Sequence, residues 1–372
     1  MTESLLTLAG RGWNGVAYTG GAVVQLSAAG TWSQLTSGGT IAWNLNEFTF
    51  SDGNSVMFYI QASGFIPGGD RPRPGTLYRS PDLGITWTNV TPSSGLAEYA
   101  EDIAQDANGN LWLITDERET HGGSDIDMPS RVYKSTDRGL TWTLKYTTID
   151  SFVGRRYLML NITCHPIDGL TILVETDEMF AWGVRIVRST DGGETWSLFT
   201  PTIPSPPTAP KNVAGGMQSA FNYTSTGHVL WAGPFETALD DFFVLSSFDD
   251  GDTWTVQYTE VVTSADSTGF IEVSGVAYIV SADGLFSATP PGGIVTQIAD
   301  NDAAPFAATD VPHGISRQDV SDVSTLLLGC ANTTVPTTAT TVYTRPADLS
   351  SGWAAHPQFS NMNTQLGYIL HV

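Results

Sequence analysis

An eight-residue pattern, Ser-x-Asp-x-Gly-x-x-Trp, occurs four times in this 372-residue chain at nearly even intervals. The copies open at Ser80, Ser135, Ser189 and Ser247, which lie 55, 54 and 58 residues apart. A fixed period of this size marks a repeat architecture, in which each unit buries its apolar faces only by stacking on its neighbours. The units follow one another without an obvious linker, so one large domain is expected rather than the two or three that length alone suggests. Such a chain can bury an ample core without a disulfide or metal staple.

Each clear unit reads as four strands. Asp106-Ala107-Asn108-Gly109-Asn110 is a turn between a first strand and a second, Leu111-Trp112-Leu113-Ile114. Arg131-Val132-Tyr133-Lys134 leads into the octapeptide, and Thr143-Leu144-Lys145-Tyr146 leaves it. Short β-rich runs bounded by Gly, Asn and Asp are strand signals, and helical periodicity is absent. The expected fold class is therefore all-β, a single β-propeller of four-stranded blades.

Weaker copies complete the circle. They are Ser27 to Trp32, Ser281-Ala282-Asp283-Gly284 with Phe286 in place of the Trp, and Ser350-Ser351-Gly352-Trp353. Seven units of about 53 residues result, with six or eight remaining open. The approximate blades are 1–38 with 366–372, 39–95, 96–150, 151–208, 209–263, 264–303 and 304–365. The first is short of one strand, which Gly367 to Val372 can supply. Pairing the N- and C-terminal strands in this way removes an exposed sheet edge.

The octapeptide has a physical logic. Asp82, Asp137, Asp191 and Asp249 are placed to accept hydrogen bonds from following backbone N–H groups. Gly84, Gly139, Gly193 and Gly251 suit a positive φ, and Trp87, Trp142, Trp196 and Trp254 can bury large rings against the sheet. These residues resemble the Asp-box, or bacterial neuraminidase (BNR) repeat, of sialidases and several other propeller families. With the weaker units, the resemblance covers nearly the whole chain. It implies that the boxes sit on the rim away from the ligand face, so these twelve residues are expected to be structural. The resemblance stops short of an enzyme. Sialidases carry an arginine in a Phe/Tyr-Arg-Ile-Pro segment before the first blade, whereas the early arginine here, Arg11, sits in Gly10-Arg11-Gly12-Trp13.

Composition excludes some partners. Asp and Glu number 38 against 16 Lys and Arg, a formal charge of −22. Such a surface repels phosphate backbones and anionic lipid, so neither nucleic acid nor membrane insertion is expected. Met1 to Leu8 lacks a basic segment and a long apolar run, so no signal peptide is expected and the location would be a virion or the cytoplasm. Cys164 and Cys330 lie in apolar runs and read as buried free thiols. The six histidines lack metal-ligand spacing. Asp125-Ile126-Asp127 and Asp249 to Asp252 lack a full calcium ladder, and no phosphate or dinucleotide fingerprint is present, so no metal or cofactor is expected.

Function is then expected on loops at the end opposite the octapeptides. The candidate loops are Gly64 to Gly75, Thr115 to Ser130, Thr176 to Gly183 and Gly233 to Asp241, with inter-blade segments Tyr146 to Tyr157 and Thr200 to Gly216. Arg118, Arg155, Arg156, Glu117, Glu236, Trp182 and Phe235 are the candidate ligand residues, since sugars stack on rings and present hydroxyls to charged groups. The reading is a non-catalytic binding or structural module that recognises a glycan or protein partner, such as a virion-associated tail or receptor-binding protein. No catalytic residue is assigned. The alternatives are a glycoside hydrolase using a pair of loop carboxylates and an intracellular interaction scaffold.

Overall fold

A computed structural model describes residues 6–10, 23–26, 32–34, 41–65, 72–82, 84–93, 98–117, 129–148, 157–178, 183–204, 209–210, 220–236, 240–261, 267–281, 284–289, 295–300, 310–320, 323–332, 340–346, 352–355 and 366–371. Every helix or strand element among them is a β-strand, and the paired strands are all antiparallel neighbours. They form six hydrogen-bonded sheets: four of four strands, one of five and one of eight. The eight-stranded sheet consists of two four-strand groups joined by a single pairing, Gly75 with Ala100.

The group around Asp137 illustrates the unit. Glu98–Gln105, Leu111–Glu117, Arg131–Ser135 and Thr143–Thr147 run as an up-and-down meander. Leu111, Trp112, Leu113 and Ile114 are all buried, because the second strand is covered on both faces. Leu111 and Leu113 pack with Phe58, Ile60 and Leu77 of the preceding group, whereas Trp112 and Ile114 pack with Ile162 and Val174 of the next. The same sharing continues, with Leu173 and Ile186 against Trp231 and Phe243, then Phe242 and Val244 against Ile279 and Phe286. Valine, isoleucine and aromatic side chains suit these two-sided positions.

The chain ends meet. Leu366–His371 pairs antiparallel with Leu6–Gly10, in the sheet that also holds Val23–Leu26 and Trp32–Gln34. Leu366–His371 also packs near Asp310–Val320 and Ile41–Thr49.

One weak repeat is corrected. Ser281 and Gly284 pair directly across a two-residue connection between the second and third strands of their sheet, Val276–Ser281 and Gly284–Ala288. In the intact copies, the octapeptide instead follows the third strand. Phe286 accordingly lies inside a strand and is fully buried beside Phe242 and Tyr258, so it does not replace a box Trp. Trp353 does occupy the connection between Thr340–Pro346 and Ala354–Ala355, whereas most of the Ser27 copy lies outside the described residues.

Several expected loops are also shorter than the sequence suggests. Gly64 pairs with Arg73 and Phe65 with Pro72, Glu178 pairs with Gly183, and Glu236 pairs with Asp240. The hydrogen-bonded ladders therefore carry Gly- and Pro-containing stretches that resemble loops in sequence. Cys164 is a buried free thiol, pushed well up by that burial. Cys330 lies in Val323–Asn332, and its side chain is outside the described residues.

Candidate functional site

The four intact octapeptides fold alike. Each leading serine is buried, donates to the motif Asp at 2.8 to 2.9 Å, and accepts the motif Gly N–H at 2.7 to 2.9 Å. One Asp oxygen accepts the backbone N–H of the seventh residue, and the other accepts its hydroxyl. That residue is Thr86, Thr141, Thr195 or Thr253. The glycines take φ values of 89°, 78°, 89° and 87°, where an added Cβ is strained. Trp254 is 5% exposed, while Trp87, Trp142 and Trp196 are half-buried. The indole N–H of Trp196 donates to Gly193, and that of Trp254 donates to Gly251.

These bonds set the charge state. Burial opposes ionisation of Asp82, Asp137 and Asp249, but donation from the partner threonines and serines outweighs it and holds each carboxyl below the usual range. At Asp191 the bonds from Thr195 lead, and the carboxyl is held at about 2. Both oxygens of every motif Asp are thus engaged within its own turn, which suits a structural part rather than a ligand site.

Strand register places the other end. Leu111 pairs with Ser135 and Val229 with Ser247, at the octapeptide end. Glu117, Phe235 and Glu236 close the same two strands, Leu111–Glu117 and Val229–Glu236, at the far end. They are strand positions rather than the loop positions expected. Glu117 faces Glu98 in register, Phe235 faces Asp241, and Glu236 faces Asp240. Their side chains, and all of Arg118, Arg155, Arg156 and Trp182, lie outside the described residues.

Among the buried carboxylates, Glu98 and Glu175 belong to no pattern in the sequence. Glu98 has a fully buried side chain and accepts from Thr115 Oγ1 at 3.0 Å, Arg131 Nη1 at 3.2 Å and the Tyr133 hydroxyl. Tyr133 is 4% exposed, so this Tyr–Glu–Arg group is closed to a substrate despite containing residue types found in a nucleophilic pair. Glu175, also buried, accepts Asn161 Nδ2 at 2.6 Å and, across to the next sheet, Trp231 Nε1 at 3.0 Å. No group of three or more His, Cys, Asp or Glu residues able to hold a metal occurs among the described residues. No helix there is long and apolar enough to cross a membrane.

The BNR/Asp-box repeat family model matches residues 187–198, spanning the octapeptide of Asp191. The chain carries Asp-box repeats of the kind found in sialidase-like β-propellers. This Asp-box protein is 29% identical over 114 residues to the xyloglucanase Xgh74A of Acetivibrio thermocellus, covering 25% of the chain and 14% of that protein. It is 24% identical over 206 residues to a Paenibacillus xyloglucanase, covering 48% of the chain and 18% of the relative. The Asp-box protein thus spans less than a fifth of the length of either relative. Among solved structures, it resembles the Pseudomonas aeruginosa periplasmic gluconolactonase PpgL with a TM-score of 0.62 and 12% identity, over 100% of this chain and 99% of that one. A putative 6-phosphogluconolactonase from Bacteroides fragilis gives a TM-score of 0.53 at 12% identity, over 99% and 98% of the two chains. At such identities these likenesses concern the fold of the Asp-box protein and not its chemistry.

Proposed function

We propose that this chain is a carbohydrate-binding β-propeller, with its glycan site at the strand ends opposite the Asp-boxes. The ring has seven four-stranded blades with the boundaries expected from the sequence, closed where Leu6–Gly10 meets Leu366–His371. The carrying observation is the common placement of all four intact boxes at one strand end, where their Asp oxygens are engaged by the turns. The far end is thereby left to ligand. Glu117, Phe235 and Glu236 close strands there, and in sequence Arg118 follows Glu117, Arg155 and Arg156 precede Tyr157, and Trp182 precedes Gly183. Rings to stack on a sugar and charged groups to meet hydroxyls are the chemistry such a site needs. Xyloglucan, named in both curated relatives, is the first polysaccharide to try. A receptor-binding component of a virion would use the same end on a host glycan.

A glycan array with a reducing-sugar release assay tests this reading. Binding without turnover supports it, and Glu117→Ala, Trp182→Ala or Glu236→Ala should weaken that binding. The similarity to proteins named xyloglucanases favours a second reading, a glycoside hydrolase with a carboxylate pair at this end. Turnover abolished by one of the Glu→Ala changes would establish it. A blank array with one captured protein partner would replace both readings with an interaction scaffold.

A further inference from the structure

The group around Glu98 lies outside the ligand residues named above, yet it occupies the same end of the sheet. Thr115 and Arg131 are register partners on adjacent strands. Between them in sequence lie Asp116, Glu117 and the segment to Ser130, the longest of the within-unit loops expected at this end. One carboxylate therefore ties both stems of that connection, through Thr115 Oγ1 on one oxygen and Arg131 Nη1 on the other. Tyr133, two residues further along the second stem, donates to the same oxygen as Arg131.

The second stem is tied again by Thr148. Its hydroxyl accepts the Ser130 N–H at 2.9 Å, and its own N–H donates to the Ser130 carbonyl at 2.9 Å. Ser130 and Thr148 are both buried.

Stability alone is a poor reason for this arrangement. Burying an ion pair carries a desolvation cost that its attraction often fails to exceed, and apolar replacements of similar volume are commonly as stable. A fully satisfied buried network does, however, fix geometry, because each bond constrains the others and every alternative strands a polar group. Here the geometry being fixed is the spacing of two stems at the proposed ligand end.

We propose that Glu98 is a positioning residue, whose carboxylate holds the stems ending at Thr115 and beginning at Arg131 in the register from which Asp116 and Glu117 meet a glycan. The ligand part of this proposal rests on the carbohydrate reading above, whereas the clamp itself does not.

The test uses the full chain carrying Glu98→Gln, Thr115→Val or Thr115→Ser. Thr115→Val removes one tie while preserving shape, and Thr115→Ser restores the hydroxyl. Amide hydrogen exchange at 116–117 and 129–131 reads the clamp, and the Kd for the array-selected glycan reads its consequence. Faster exchange at those amides is expected in Glu98→Gln and Thr115→Val, with near-wild-type exchange in Thr115→Ser. A Kd raised about tenfold in the first two should be recovered by Thr115→Ser. Unchanged exchange in Thr115→Val overturns the clamp, even if Glu98→Gln fails to fold. Faster exchange with unaltered Kd overturns the positioning role. If no glycan binds, the carbohydrate reading and the ligand part of the proposal fail together, and the exchange data still decide the clamp.

Discussion

The Nε–H of Arg79 donates to the backbone carbonyl of Arg138 at 2.7 Å, from the strand before one Asp-box to the fourth residue of the next. Lys134 repeats the link to Gly192 at 3.1 Å, and Arg188 repeats it to Asp250 at 3.1 Å. The three accepting residues have φ values of 60°, 72° and 54°, all left-handed. Two of them are not glycine, so the turn maintains a conformation that side chains disfavour. Lys134 and Arg188 also lie over the rings of Trp112 and Phe199, each at 4.7 Å. A chain with few cations thus uses three of them to join consecutive boxes.

Removing a rung should be felt across the seam between sheets. Lys134→Ala is expected to destabilise by about 1 kcal/mol, the scale of a charge-assisted bond that is only partly shielded from water. Urea unfolding measures it, and a midpoint unchanged from wild type would show that the link carries no net stability.

The box glycines should differ sharply from an open-turn glycine. A Cβ at Gly193 would lie 2.3 Å from Trp112 Cη2, whereas one at Gly53 meets nothing within 4 Å. Both have positive φ, at 89° and 79°. Gly53→Ala should therefore show the backbone strain alone, about 1 kcal/mol. Gly193→Ala should cost about 1–3 kcal/mol more, because it also overpacks the seam between two sheets. Equal losses in the two variants would mean that the seam relaxes freely.

Acid should loosen the boxes. The four motif carboxyls have folded values below an unfolded Asp value of about 4, so the stability linked to their ionisation is fully present above that value. It is lost as pH falls through the folded values, and for Asp191 the window extends down to about 2. Discharging a chain of formal charge −22 relieves repulsion over the same range, so the whole-protein profile mixes opposite trends. Comparison with Asp191→Asn isolates the box. Its stability deficit relative to wild type should be constant above about pH 5 and shrink as pH drops toward 2. A deficit that grows on acidification would contradict the assignment.

The boxes were legible because every bond that defines them lies within eight residues, so the sequence displays the whole mechanism. The seventh position belongs to the same mechanism, since Thr stands there in all four copies and donates twice to the Asp. Ser281 to Gly284 shows the limit of matching letters. The same residue types serve a hairpin when they fall between the second and third strands. Gly64 and Pro72 read as loop, yet both sit in a ladder whose pairing depends on backbone groups. Glu98 was invisible for a different reason, since its donors lie 17, 33 and 35 residues away. Only the folded register gathers them. The far-end ligand residues could be proposed from composition, but the sequence contains no local pattern that brings them together.

Glu175 supplies a further prediction, because its partner comes from another sheet. The Trp231 indole N–H reaches Glu175 Oε1, and the ring packs 5.2 Å from Trp254 and 5.4 Å from Phe221. Trp231→Phe keeps an aromatic ring there but removes the donor and some volume. The expected cost is about 2–4 kcal/mol, combining a less satisfied buried carboxylate with a small cavity. Glu175→Leu alone should also destabilise, since it removes an acceptor from the indole N–H and from the Asn161 amide. Combining the two changes removes donor and acceptor together, so the double variant should lose less than the two single losses added, by about 1 kcal/mol or more. Chemical denaturation of all four proteins closes the cycle. Strict additivity would show that the bond does not couple the two sheets.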